Sequence, residues 1–244
     1  MPGVDWPRAI KMFPFRGYPL FAADDYPAYK SPNDFLCLAH SHKKDSPTMP
    51  KFTPLPAPMI DDINEAVKVM KNGGVIIYPT DTIWGIGCDA TNAEAVARVV
   101  EMKGRDAEQA LICLVDNEVK IQSYVEKVPE VAWDLIQCSD EPLTVIYDGG
   151  RYLAPGVTAP DGSVAIRLTR EDFSRELCRR LGRPVVSTSA NLHGRPSPKR
   201  FDDIAEELKA AADYVCRSRR KEKKTTTASH IVKLGADASV KIIR

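Results

Sequence analysis

An apolar run passes directly into a small polar loop in Val75-Ile-Ile-Tyr-Pro-Thr-Asp-Thr-Ile-Trp-Gly-Ile-Gly87. Residues 75–78 have the length and composition of a buried strand. Residues 79–87 are rich in Pro, Gly and hydroxyl side chains, and we predict a loop there. Open α/β sheets commonly place their ligand sites just beyond a strand, so this loop is the first candidate for a functional site.

Helical patterns lie on both sides of this segment. Apolar residues recur at helical spacing over residues 61–72, with Asp62 placed to cap the first turn. After the loop, Thr91-Asn-Ala-Glu94 reads as a capping box and predicts a helix that ends near Lys103-Gly104. Helices on either side of a buried strand indicate an α/β fold.

The rest of the chain repeats the same alternation of helices and strands. Further strands are predicted at 110–115, 143–147, 164–168, 185–187, 214–216, 230–234 and 240–243, and helices at 131–136, 171–181 and 202–212. Some of these strands follow one another too closely for a helical crossover. We therefore predict an α/β fold with a mixed sheet.

Residues 1–58 differ from the rest, because they hold Pro and aromatic residues without periodicity and end in Pro54-Leu-Pro-Ala-Pro58. They predict an irregular, partly disordered N-terminal arm, with one catalytic domain over 59–244. An alternative is that translation starts at Met49 or Met59.

The overall composition excludes several classes of protein. The chain of 244 residues is 43% hydrophobic, and its 34 Lys and Arg against 33 Asp and Glu leave a charge of +1. Such a balance predicts no global attraction to nucleic acid or anionic lipid, so an anion site must be local. No apolar run approaches the roughly 20 residues of a membrane span. We expect a cytoplasmic protein that does not contact the membrane.

The six cysteines are scattered without a Cys-x-x-Cys pair. We interpret them as buried thiols in a reducing compartment, with disulfides as the alternative that their even number permits. The sequence lacks the Walker A, His-Glu-x-x-His and Gly-x-Ser-x-Gly signatures, and its four histidines are well separated. This favours a mechanism without a protein nucleophile or a resident metal.

Three polar segments, each beside a predicted strand, remain as candidates. They are 79–82 with Trp84, Lys103-Gly-Arg105 and Ser187-Thr-Ser-Ala-Asn191. The first could be an ordinary capped turn, and the second could simply complement a helix dipole. The third holds hydroxyls and an amide whose burial costs about 1 to 3 kcal/mol each unless they are paired, so it favours a ligand. Arg167, inside an apolar strand, faces either the same cavity or water at a sheet edge.

In this order, the motifs resemble the YrdC/Sua5/YciO family of threonylcarbamoyl-adenylate synthases. The motifs are Tyr78-Pro-Thr-Asp-Thr82 with Gly85-Ile-Gly87, Lys103-Gly-Arg105, Pro142-Leu-Thr144, Val164-Ala-Ile-Arg167 and Ser187-Thr-Ser-Ala-Asn191. The resemblance covers about residues 60–244. It implies a twisted mixed sheet with flanking helices around a large basic cavity, similar to the dihydroxybutanone-phosphate synthase fold.

The resemblance also implies roles for single residues. The implied catalytic pair is Lys103 and Arg105. The threonine pocket is implied to consist of Thr80, Thr82 and Trp84. The implied ATP-binding residues are Lys103, Arg105, Thr144, Arg167, Ser187, Ser189, Asn191 and Ser229. Trp84 stands where the family usually has Tyr. No residue is assigned to a metal.

The implied activity joins L-threonine, bicarbonate and ATP, with Mg²⁺, into threonylcarbamoyl-AMP and pyrophosphate. The product would serve the N6-threonylcarbamoyladenosine modification at position 37 of tRNA, through downstream tRNA threonylcarbamoyltransferase proteins. The end at Arg244 implies a short form without the extra C-terminal domain. Two departures from the family are Asp106 after the Lys-x-Arg motif, where Pro is common, and Ala110-Leu111 in place of Pro-Leu.

Two other functions stay open from the sequence. One is an RNA-binding protein without this activity, because Arg217-Ser-Arg-Arg-Lys-Glu-Lys-Lys224 could contact tRNA or double-stranded RNA. We interpret that segment instead as a mobile solvated loop. The other is a sibling enzyme that uses a different amino acid.

Overall fold

A computed structural model describes residues 54–104, 111–192, 194–222, 228–235 and 239–244. The predicted N-terminal arm lies outside these residues up to position 53, and Arg105, Asp106 and Ala110 lie outside them as well. Within them, Pro54–Arg244 forms one compact unit.

The elements alternate between helices and strands, as the sequence predicts. In chain order they are α1 Ala57–Lys71, β1 Ile76–Tyr78, β2 Gly85–Gly87, α2 Ala93–Lys103, β3 Ile112–Val115, α3 Glu118–Tyr124, α4 Val131–Cys138, β4 Leu143–Tyr147, β5 Val164–Leu168, α5 Asp172–Leu181, β6 Val185–Ser189, a 3₁₀ turn Phe201–Asp203, α6 Glu206–Ala211, β7 Tyr214–Val215, β8 His230–Leu234 and β9 Val240–Ile242.

The described strands form one mixed sheet in the order β7-β1-β2-β6-β3-β5-β4-β8-β9. Three pairs are parallel, namely β1 with β7, β3 with β5 and β4 with β8, and the other pairs are antiparallel. The predicted α/β fold with a mixed sheet is therefore confirmed.

The prediction of a continuous loop over 79–87 is wrong at its end, where Gly85–Gly87 forms β2 between β1 and β6. Glycine is what lets the three strands lie so close. A Cβ on Gly87 would lie 2.5 Å from the carbonyl oxygen of Val186 and 2.6 Å from the ring of Tyr78. Gly-rich segments usually indicate turns, which is why the strand is not apparent from the sequence.

Hydrophobic side chains pack on both faces of the sheet. One face is covered by α1 and α5, whose Met70 and Phe173 pack with Ile76 and Tyr78 of β1. The opposite face packs Val75 and Ile77 against residues of α2 and α4. Because alternate residues of a strand point to opposite faces, burial of both faces explains the unbroken apolar run at 75–78. Across the described ranges, no helix is long and apolar enough to span a bilayer.

Several predicted helix ends differ from those of the structure. The N-cap of α2 is Asn92, whose Oδ1 accepts from Ala95 N at 2.9 Å, whereas Thr91 donates its hydroxyl to Asp89. The predicted helix at 202–212 is divided into the 3₁₀ turn and α6. The helix α3 was not predicted.

Asp62 has a different role from the predicted cap, because α1 begins at Ala57 and Asp62 is buried inside it. Its carboxylate accepts from Tyr214 Oη at 2.7 Å and from the backbone N–H groups of Arg217 and Ser218 at 2.9 and 2.6 Å. Burial alone would raise the pKa of Asp62, but these donors outweigh it and hold the pKa below its ordinary value of 3.8. Asp62 thus fixes the backbone after β7.

We expect Asp62→Asn to lower the free energy of unfolding by about 2 kcal/mol, because the amide cannot accept from all of these donors. The depressed pKa stabilises the fold above pH 3.8, the ordinary value, and this contribution is lost as the pH falls through the folded pKa. The difference from the wild type should therefore shrink under acid conditions. Urea unfolding at pH 7 and pH 3 measures it, with the exposed Asp61→Asn as the matched control. Equal stability of the two variants at pH 7 would contradict the assignment.

Candidate functional site

A cavity of about 290 Å³ opens at the middle of the sheet. Residues from the polar loop, from the six strands β2, β3, β4, β5, β6 and β8, and from the C-terminal segments line it together. They are Thr80, Thr82, Ile83, Gly85, Ile112, Thr144, Ile146, Ala165, Arg167, Ser187, Thr188, Ser189, Ser197, Ala228, Ser229, Ile231 and Arg244. Seven of them are predicted site residues: Thr80, Thr82, Thr144, Arg167, Ser187, Ser189 and Ser229.

Strand register explains why residues distant in sequence meet here. Ser187 is paired with Ile112, Ile112 with Ala165, and Ala165 with Ile146. Residues paired directly across neighbouring strands project from the same face of a sheet. The cavity floor is therefore one row of side chains that crosses β6, β3, β5 and β4.

A second row brings the polar groups to one end of this floor. Arg167 on β5 is paired with Thr144 on β4, and Thr144 with Ile231 on β8. The hydroxyls of Thr144 and Ser229 are buried and lie 2.9 Å apart. Because a hydroxyl has one proton and two lone pairs, this pair can still accept a hydrogen bond from a ligand.

The loop after β1 is held in a tight turn by its own hydroxyls. Thr80 Oγ1 donates to the carbonyl of Ile83 at 2.7 Å and accepts from the backbone N–H of Thr82 at 3.1 Å. The hydroxyls of Thr80 and Thr82 lie 3.1 Å apart and both are buried. The two threonines thus form one fixed polar corner of the cavity.

Arg167 brings a positive charge into the cavity wall. Its side chain is only 4% exposed, and its guanidinium lies 3.0 Å from Asp81 Oδ1. Arg167 Nε and Asp81 Oδ1 nevertheless have no hydrogen-bond partner among the described residues. A buried N–H without an acceptor is costly, so this group is available to donate to a water or a ligand atom. The alternative of a solvated edge-strand arginine is wrong, because β5 lies inside the sheet.

Lys103, Ser189 and Asn191 meet beside the cavity, as the pattern predicts, but not as a row of cavity-lining groups. Lys103 Nζ donates to the carbonyl of Ser189 at 2.7 Å, to Asn191 Oδ1 at 2.9 Å and to the carbonyl of Asn191. Lys103 is 4% exposed, and neither it nor Asn191 lines the cavity. The ammonium group therefore joins the end of α2 to the end of β6, behind the wall that Ser189 forms.

We expect Lys103→Met to lower the free energy of unfolding by about 2 to 3 kcal/mol, because the partly buried carbonyls of Ser189 and Asn191 lose a charged donor. Chemical denaturation measures the change. The control is Lys71→Met, which removes an exposed lysine at the end of α1. If Lys103→Met were as stable as the control, the ammonium would not hold this wall.

Trp84 lies elsewhere than predicted. Its ring is buried in the hydrophobic core and meets Phe201 edge-on, with ring centroids 5.0 Å apart. The neighbouring Ile83 lines the cavity instead. The position of Trp84 therefore does not support a direct contact with an amino acid. Arg105, the other predicted catalytic cation, lies outside the described residues.

Several cavity residues were missed by the sequence analysis. Ile83 belongs to the polar loop of the first motif, but no role was predicted for it, and Ser197 lies in a loop without a distinctive pattern. Arg244 lines the cavity and donates from Nε to the carbonyl of Ser229 at 3.1 Å. A cation that directly follows the apolar pair Ile242-Ile243 was the available signal for Arg244.

The prediction of a mobile solvated loop at 217–224 is wrong for Arg219 and Arg220, whereas the side chain of Arg217 is 64% exposed. Arg220 donates to the carbonyls of Val215 and Cys216 and lies over the ring of Phe201, 4.5 Å from its centroid. Arg219 donates to the carbonyl of Thr80 at 3.0 Å. These side chains are part of the fold, so they are not free to track a nucleic-acid backbone.

The described cysteines are free thiols, and all but Cys138 are buried, so the prediction of buried thiols is wrong for Cys138 alone among them. Burial raises the pKa of Cys113 to about 12 and that of Cys88 and Cys178 still further. Such thiols stay protonated near neutral pH and are poor nucleophiles. In the described ranges, the His, Cys, Asp and Glu residues form no group of three that could hold a metal ion.

Comparison with known proteins places this chain in a family. The sequence profile of the Sua5_yciO_yrdC family, described as telomere recombination, matches residues 68–244. The chain therefore belongs to the Sua5/YciO/YrdC family.

Curated relatives and solved structures agree with this placement. The threonylcarbamoyl-AMP synthase of Pseudomonas aeruginosa UCBPP-PA14 is 38% identical over 135 residues, which cover 55% of this chain and 72% of the relative. That of Stenotrophomonas maltophilia K279a is 32% identical over 156 residues, covering 63% and 84%. The structure of E. coli YciO superimposes with a TM-score of 0.66 at 22% identity, over 78% of this chain and 90% of that chain. The structure of P. abyssi Sua5 complexed with L-threonine gives 0.67 at 24% identity, over 75% of this chain and only 53% of that chain.

Proposed function

We propose that this chain is an L-threonylcarbamoyladenylate synthase, a nucleotidyltransferase that uses ATP, L-threonine and bicarbonate. The observation that carries the proposal is a single cavity that combines fixed hydroxyls, a buried guanidinium with an unpaired N–H and an apolar floor. The names of the curated relatives support the same activity. They also favour it over an RNA-binding protein without catalysis.

The two ends of the cavity suggest how the substrates are divided. Thr80 and Thr82 present hydroxyls at one corner, and we assign the amino acid to them. Ser187 and Ser189, from β6, and the Thr144–Ser229 pair provide donors and acceptors along the wall, and we assign the nucleotide there. Among the described residues, Arg167 and Arg244 are the arginines that line the cavity, and their planar guanidinium groups suit carboxylate or phosphate oxygens.

The proposed reaction needs no covalent enzyme intermediate. The amine of threonine takes up carbon dioxide, derived from bicarbonate, and forms a carbamate. A carbamate oxygen attacks the α-phosphorus of ATP, and the bond to pyrophosphate breaks. The residues of this chain act by holding the reactants in line and by stabilising negative charge on the phosphate oxygens.

Lys103 and Arg105 remain the proposed catalytic cations. The structure describes the contacts of Lys103 but not those of Arg105. Lys103 is tied to Ser189 and Asn191, so its contribution in this geometry is to position the wall that the nucleotide meets. Arg105 stands two positions after Lys103 in the sequence and is proposed on the family resemblance. We propose that Mg²⁺ enters with the triphosphate, whose own oxygens are its preferred ligands.

The product decides between the proposal and its rivals. Purified chain is mixed with ATP, bicarbonate and L-threonine, and the products are analysed by mass spectrometry together with a pyrophosphate assay. We expect threonylcarbamoyl-AMP and pyrophosphate in equal amounts, both dependent on threonine. Equal turnover with another amino acid would indicate a sibling enzyme, and tight, salt-sensitive RNA binding without turnover would indicate the RNA-binding alternative.

We expect Arg167→Gln to lower kcat/KM by about 100-fold, because a buried charge that faces the reacting groups is lost. This substitution leaves the Asp81 carboxylate buried without its counter-ion, so the double variant Arg167→Gln/Asp81→Asn separates lost stability from lost catalysis. Arg175→Gln is the matched control, because it makes the same substitution at an exposed arginine of α5. A double variant with wild-type kcat/KM would exclude Arg167 from the site.

We place the activity in the cytoplasm, where the five free cysteines of the described residues would stay reduced. The adenylate product is a reactive mixed anhydride, so a tRNA threonylcarbamoyltransferase system is the proposed consumer. Residues 59–244 are the proposed catalytic domain, and residues 1–58 are assigned no role.

A further inference from the structure

We infer that Arg219 is a positioning residue for the amino-acid end of the cavity. The inference rests on the proposed function and goes beyond it, because it assigns control of threonine affinity to a residue from the basic segment after β7. Arg219 does not line the cavity and acts through the loop that carries Thr80 and Thr82.

The contacts of Arg219 join three separate parts of the chain. Its Nη1 donates to the carbonyl of Thr80 at 3.0 Å and lies 3.0 Å from Glu171 Oε1. Its Nε donates to both carboxylate oxygens of Glu222, at 2.9 and 2.8 Å. The side chain is only 18% exposed. Two carboxylates and one carbonyl thus hold the guanidinium in place.

Glu171 provides a rigid support for this contact. Its two carboxylate oxygens accept from the backbone N–H groups of Phe173 and Ser174, at 2.9 and 2.8 Å, and cap the start of α5. A capping carboxylate has little freedom, because leaving its position would expose the first N–H groups of the helix. Arg219 therefore couples the Thr80 carbonyl to the end of a packed helix.

The backbone of Arg219 is also held in an unusual state. Its φ of 62° lies in the left-handed region, which side chains other than glycine seldom adopt. The preceding turn is fixed because Asp62 accepts from the N–H groups of Arg217 and Ser218. Such a conformation persists only where the surrounding contacts fix it, and those contacts direct the guanidinium to Thr80.

The contact at the Thr80 carbonyl should control where the hydroxyls of Thr80 and Thr82 lie in the cavity. The hydroxyl of the same residue donates to Ile83 and accepts from Thr82, so the turn is held from the cavity side by Thr80 Oγ1 and from outside by Arg219. Removing the outer contact leaves the inner hydroxyls free to shift relative to the substrate. A shift of that corner should affect the amino acid more than the nucleotide, whose proposed contacts lie on β6, β4 and β5.

The test compares Arg219→Ala, Arg219→Gly and Arg219→Lys in the full chain. Glycine removes the guanidinium yet suits a φ of 62°, so it separates the side chain from the backbone. We expect Arg219→Ala and Arg219→Gly to raise the KM for threonine about tenfold, because one charge-assisted hydrogen bond is lost. The KM for ATP should stay within about twofold of the wild-type value. Lysine should give an intermediate value, because it can keep only part of the contacts.

Arg217→Ala is the matched control, since it removes the same charge two residues earlier from a side chain that is 64% exposed. Equilibrium dialysis with labelled threonine gives the affinity without catalysis, and thermal unfolding reports the stability of each variant. The inference is overturned if Arg219→Ala matches Arg217→Ala, if the KM values for ATP and threonine rise equally, or if Gly restores wild-type values. A wild type without threonine-dependent turnover refutes the proposed function, and a wild type that binds no threonine refutes both.

Discussion

The ammonium group of Lys103 organises the wall of the cavity. It lies at the end of α2, buried, with acceptors from Ser189 and Asn191 around it. A lysine is buried in this way only when its protons are accepted by nearby oxygens, since an unpaired charge away from water is very costly. The carbonyls at the end of β6 in turn need a hydrogen-bond donor, which the Lys103 ammonium provides. The last turn of α2 and the end of β6 therefore hold each other in place.

The contact between α2 and β6 also positions the other walls of the cavity, because β6 lies inside the sheet. β6 lies between β2 and β3, so fixing its end places Ser187 and Ser189 against the loop after β1 on one side and the floor of β3, β5 and β4 on the other. The glycines of β2 permit the close approach. The basic segment after β7 then supports the same loop from outside, through Arg219. The cavity thus depends on long-range contacts between elements that are each short.

Much of the fold could be predicted from the sequence, because most strands are apolar runs and α1, α2 and α5 show clear periodicity. What failed has physical reasons. The strand β2 consists of two glycines and one isoleucine, so its tertiary pairing overrides its local preference. Asp62 looks like a helix cap, but its carboxylate is used by a distant turn, which only the folded chain reveals. The arginines at 219 and 220 look like a solvated charge run, yet backbone carbonyls bind them.

The sequence predicted which residues belong to the candidate site better than it predicted where each of them lies. The motif residues Thr80, Thr82, Thr144, Arg167, Ser187, Ser189 and Ser229 do line one cavity. Their order along the chain could not show that Lys103 lies behind the wall or that Trp84 is in the core. Both depend on packing distances that motif spacing does not encode.

The central claim is that one cavity accepts a nucleotide and an amino acid at the same time. Native mass spectrometry with a non-hydrolysable ATP analogue and L-threonine tests it most directly, with the wild-type chain and with each ligand alone as reference. We expect a ternary complex that holds one of each ligand. Mutually exclusive binding of the two ligands, or binding of neither, would contradict the account.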